Sequence, residues 1–155
     1  MAADWDVLAR ALRELHKALM ERARREYENG HGAVANPGHL LQLLSTDPYF
    51  AWLRTLSELM VDIDMARDAE TATKDALESA VRPAVEHVLA SPGSATPESF
   101  AAHYWPLVQD DPHVAMAHAG VKQALAAWPG ATQAGAAALL SDRKRLAEQA
   151  RQRKR

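Results

Sequence analysis

The chain has no cysteine among its 155 residues, which excludes disulfides, thiolate metal sites and cysteine nucleophiles. Aromatics are scarce at 6%, so any core must rest mainly on aliphatic side chains. Nowhere do eighteen consecutive apolar residues occur, and the opening MAADWDVLARALRELHKAL carries charge throughout without an apolar signal core. Neither a membrane span nor a secretory leader is expected, and a cytoplasmic address is. The period-two alternation of a half-buried strand is also missing. The apolar share of 48% is rich in Ala and Leu, which favours helix. The expected class is all-α.

What is present is helical periodicity. Trp5, Leu8, Leu12, Leu15 and Leu19 step along one face and predict a helix over 4–29, stopped by Asn29-Gly30. Asn36-Pro37 and Asp47-Pro48 each set a capping side chain before a proline whose missing N–H costs nothing at the first helical position. They predict a short helix through LLQLL and a long one over 48–70, with Trp52, Leu56, Leu59 and Ile63 inside. The same reasoning predicts helices over 74–90, kinked at Pro83, over 97–109 from Thr96-Pro97-Glu98, kinked or shortened at Pro106, and over 112–128 from Asp110-Asp111-Pro112. In the last of these, Val114, His118, Val121, Leu125 and Trp128 form the stripe. The length suits one domain. These elements imply an antiparallel up-and-down bundle of four to five core helices over 1–130, with an extra Ala-rich C-terminal helix and basic tail over 131–155 that packs on the edge or on another copy.

The formal net charge of −2 divides unevenly, since the seven basic residues from Arg143 to Arg155 meet only Asp142 and Glu148. The tail is about +5 and the body about −7. A basic last turn suits the helix macrodipole. Without interleaved aromatics, on a chain with pI near 6.4, it does not make nucleic acid an expected partner.

Seven histidines are the most suggestive residues. His118 falls inside the stripe of its helix, and His16, His87 and His103 sit at the margins of theirs, so four helices would offer an imidazole toward one interior, with Glu58 on a fifth segment as a carboxylate. Glu-x-x-His and His-x-x-x-His spacings are missing, and a satisfied core histidine explains His118 equally well. No nucleophile elbow or phosphate-cradling loop is present, so no convergent catalytic set is assigned and no cofactor is called for. The leading expectation is a non-enzymatic helical interaction or regulatory module, a homodimer or partner of another protein, with Tyr49, Trp52, Arg54 and Trp105 on its contact surface. The alternative is a metal- or small-ligand-binding bundle using His16, His87, His103, His118 and Glu58. The loop GHGAVANPG is a connector between helices or a cover for a site.

The segment HGAVANPGHLLQLLSTDPYFAWLRTLSELMVDID, with its His-Gly loop, Pro-Gly before LLQLL, and Asp-Pro-Tyr-Phe-Ala-Trp-Leu-Arg, resembles an uncharacterised family of small bacterial all-helical proteins. The resemblance covers roughly the first half and implies a bacterial cytoplasmic setting. No activity is assigned to that family, so none carries over.

Overall fold

The computed structural model describes residues 4–69, 71–90 and 99–129, the side chains of 71–76 excepted. The expected C-terminal helix and basic tail over 131–155, and the Thr96-Pro97 helix start, lie outside the described residues. Within them the chain is all-α: α1 (Trp5–His31), α2 (Pro37–Thr46), a 3-10 helix (Pro48–Leu53), α3 (Arg54–Arg67), α4 (Thr71–Val88), α5 (Phe100–Asp110) and α6 (Pro112–Leu125). No strand occurs among the described residues. No helix among them is long and apolar enough to cross a membrane.

Side-chain caps set most of the starts. Asp4 accepts from the amides of Asp6 and Val7, Asn36 from His39, Asp47 from Tyr49, Ser99 from Ala102, and Asp111 from His113 and Val114, satisfying N–H groups that a helix start leaves unpaired. Two boundaries differ from expectation. Asn29-Gly30 does not end α1; the helix runs to His31 and stops at Gly32, whose φ of 90° suits a residue without a Cβ. Asp47-Pro48 opens a 3-10 helix and not an α-helix. With three residues per turn, that segment buries Phe50 and Leu53 together and leaves Trp52 half-buried, where unbroken α-periodicity had placed Trp52 inside. Pro83 and Pro106 each sit within a continuing helix.

The inner stripes meet in one core running from Trp5, Leu8, Leu12, Leu15 and Leu19 through Leu56, Leu59 and Ile63 to Tyr104, Val121, Leu125 and Trp128. In α4, Leu77, Val81, Ala84, Val85 and Leu89 are buried, and Val88 is half-buried. The most extensive pairing is between α1 and α6, helices far apart in sequence, so adjacency along the chain is not the organising rule. Trp5 meets Trp128 edge-on at 4.8 Å while Arg22 reaches Asp111, and these contacts bracket equal stretches of the two segments. The pair is therefore antiparallel and in register for about 25 Å.

On its other flank α1 runs antiparallel to α3 and the 3-10 helix. Arg67 bonds Asp6, Ser57 bonds His16, and the Tyr49 hydroxyl donates to Glu26. The strict up-and-down alternation then breaks. Arg82 of α4 donates to the Trp128 carbonyl near the Trp5 end, whereas Ala90 accepts from Trp105 beside His118, further along the axis. Thus α4 runs in the sense of α1, and so does α5, which folds back on α6 at Asp111. The two share a flank of α6, α4 toward its C-terminal half and α5 toward its N-terminal half.

Candidate functional site

The histidines that the sequence offered to one interior are held by separate partners. His118 is buried, and its Nδ1 lies 2.5 Å from the Tyr104 hydroxyl, with the Trp105 ring edge-on at 5.4 Å. Burial, and then the Lys122 charge, hold the His118 pKa below its ordinary value, and burial pushes the Tyr104 hydroxyl well above its own. Both groups are therefore neutral, and the hydroxyl and the ring nitrogen share one hydrogen bond whose direction follows the tautomer. His118 and Trp105 line a cleft of about 370 Å³ with Arg82, Glu86 and Lys122.

His16 engages a different helix. Its Nε2 lies 2.8 Å from Ser57 Oγ, and that hydroxyl already donates to the Leu53 carbonyl, so the imidazole is the donor. Burial lowers the His16 pKa. His16, Arg54 and Glu58 share a groove of about 730 Å³ between α1, α2 and α3. Arg54 Nε donates to the Leu44 carbonyl at 3.3 Å. The guanidinium thus meets the carbonyl end of α2, where the helix dipole favours a cation.

His103 is exposed and stacks on Trp52, centroids 5.2 Å apart and planes 9° from parallel. With Tyr49, Glu26 and Leu107 these rings line a third cleft of about 480 Å³. His87 lies on the exposed side of α4, away from the margin position its neighbour Val88 suggested. The sequence-predicted residues thus divide over three clefts, with His87 in none. Among the described residues no group of three or more His, Asp or Glu side chains is placed to hold a metal ion. Tyr49, Trp52 and Trp105 are half-buried and carry intrachain contacts.

The 32–36 connector is tied down by two local bonds, Val34 N–H to Glu28 and Ala35 N–H to His39 Nδ1, and lines none of these three clefts.

No family model, curated protein or solved structure matches the chain.

Sequence reasoning passed over the apolar side chains that the fold leaves outside. Val7 is 46% exposed, Leu41 65%, Val61 56% and Met116 73%. They fall into two pairs: Leu41 and Val61 in the α1/α2/α3 groove, Val7 and Met116 in a groove of about 770 Å³ along the α1/α6 seam. The available signal was a large apolar residue off its helix's inner stripe, as Val7 and Val61 are.

Proposed function

We propose that the protein is a non-enzymatic helical interaction module whose two grooves beside α1 take apolar segments of protein partners. One observation carries this reading: the four exposed large apolar side chains among the described residues are not scattered but paired, each pair in a groove. Scattered surface apolar residues need no explanation, whereas grouped ones rimmed by polar groups mark contact sites. The α1/α2/α3 groove combines Leu41, Leu44, Met20, Val61 and Met65 with Glu58, Asp62 and Arg54 at its sides. Such a lining suits the apolar face of an amphipathic helix, with adaptable methionines and charged rims. A bacterial cytoplasmic setting belongs to the same proposal.

The competing reading, a metal- or small-ligand-binding bundle, draws support from the His118 cleft alone, where Arg82 and Lys122 flank a buried imidazole. Selection of binding peptides from a random display library discriminates between the two. The interaction reading expects amphipathic helical peptides whose binding is lost in Leu41→Asp and Val61→Asp while the thermal midpoint holds, both side chains being exposed. Stoichiometric metal in the purified untagged protein, together with no peptide sensitive to those substitutions, would sink it.

A further inference from the structure

The exposed ridge of α1 carries a charge pattern that is complementary to itself. Arg10, Glu14, Lys17 and Glu21 all line the α1/α6 groove and, at 100° per residue, occupy one narrow stripe opposite the buried leucines. Reversed end for end and laid on itself about a point between Leu15 and His16, the stripe sets Arg10 against Glu21 and Glu14 against Lys17, and the same pairs recur across the axis. Such a pattern also arises from i,i+4 pairing within one helix. Here the Lys17 charge acts on Glu21, but no pair within the stripe closes as a salt bridge among the described residues. Among the described residues Arg10, Glu14 and Lys17 close no salt bridge, and Glu21 turns to Arg24. Further along α1 the i,i+4 pairs Arg22–Glu26 and Arg24–Glu28 form, while Arg25 goes to Asp111.

Beside the charged ridge lies a floor that would accept a helix. Val7, Ala11 and Ala18 on α1 face Met116, Ala117 and Gly120 on α6. A Cβ built at Gly120 meets nothing within 4 Å, so a neighbouring backbone has room to approach. The antiparallel register of α1 and α6 brings Met116 and Ala117 level with the centre of the charge pattern. Met116, the most exposed large apolar side chain described, thus stands beside the same point.

We propose that a second copy of this chain docks on this face, α1 against α1 in antiparallel fashion about a two-fold axis beside Leu15 and His16, with Glu14–Lys17 pairs nearest the axis and Met116 of each copy covered by the other. A two-fold interface must be self-complementary, and a charge pattern that reads as its own opposite on reversal is what such an interface requires. The proposal rests on the interaction-module reading and names the partner for one of its two grooves.

Sedimentation velocity on the full chain tests it. The wild type should dimerise as concentration rises. Glu14→Lys and Lys17→Glu each set like charges together twice, once on either side of the axis, and should weaken the dimer by about tenfold or more, while circular dichroism shows unchanged helix content. An equimolar mixture of the two variants restores every pair and should yield a heterodimer. The double variant E14K/K17E should recover the homodimer. A wild type that stays monomeric throughout would overturn the proposal, as would a dimer indifferent to both single changes or single-variant losses that mixing does not repair. Peptide binding to the Leu41/Val61 groove is unaffected by these substitutions, so failure here and failure of the broader reading are separable.

Discussion

The Tyr104 hydroxyl sits 2.5 Å from Nδ1 of His118 inside the core, joining the two helices that fold back on each other at Asp111. Each group satisfies a polar atom that burial would otherwise orphan, at a cost of about 1 to 3 kcal/mol. Tyr104→Phe and His118→Leu should therefore each destabilise by about that amount, because each leaves the other partner unmatched. The double substitution removes both polar atoms together and should come close to the wild type. Urea denaturation of the four proteins measures the coupling; additive single effects would show that the bond carries no energy of its own.

Asp111 holds three helices together. Its side chain caps α6, its backbone N–H bonds Leu107 to close α5, and its Oδ2 lies 3.4 Å from both Arg22 and Arg25 of α1. Burial by itself would raise this carboxyl's pKa, but the amides of His113 and Val114 and the Arg22 guanidinium outweigh it and hold the value below the ordinary carboxylate range. The folded pKa being depressed, the stabilisation is present above the unfolded value of about 3.9 and is lost as pH falls through the folded one. Asp111→Ala should cost about 2 kcal/mol or more at neutral pH, from the lost cap and the uncompensated arginines. Asp111→Asn keeps the cap, costs less, and should flatten the acid limb of the stability curve.

At higher pH the two held imidazoles set the slope. His16 and His118 both have folded pKa values below 6.5, burial being the first cause in each. The unfolded chain takes up these protons first, so stability is full above about pH 6.5 and declines as pH drops from there toward the folded values. Denaturation midpoints measured from about pH 8 to pH 5 should fall across this window. His118→Gln and His16→Gln should each make the decline shallower. A wild-type curve flat between those limits would mean that neither ring is held neutral by the fold.

Much of this architecture was legible in the sequence because capping chemistry and 3.6-residue periodicity are local. Asp47, Asn36 and Asp111 cap as their proline-flanked positions predict, and the α1 and α6 stripes are buried as spaced. His118 was legible as an inner-stripe position, whereas the group that satisfies it was set by packing: α5 and α6 fold back on each other at Asp111 and bring Tyr104 to it. What failed depended on tertiary packing. The 3-10 turn displaces Trp52 from the core, and Arg54, placed on the contact surface by the sequence, reaches the Leu44 carbonyl of α2. The four imidazoles diverge because helix–helix rotation, which no periodicity specifies, decides which neighbour a marginal residue meets. Val7, Leu41, Val61 and Met116 were overlooked because an off-stripe apolar residue acquires meaning only beside a second one on another helix.

Gly120 offers a test of how α6 is seated. It lies inside a helix, where Gly costs about 1 kcal/mol relative to Ala through backbone entropy, and a Cβ at this position meets nothing within 4 Å. Gly120→Ala should therefore raise the unfolding free energy of the dilute protein by about 0.5 to 1 kcal/mol, with no change in helix packing to offset the gain. Urea denaturation at low concentration isolates this intrachain term, since association contributes by mass action only as concentration rises. A neutral or destabilising result would mean that α1 and α6 approach more closely at Gly120 than the free space beside it implies, and that the small-residue floor of the groove is spent inside one chain rather than left open for another.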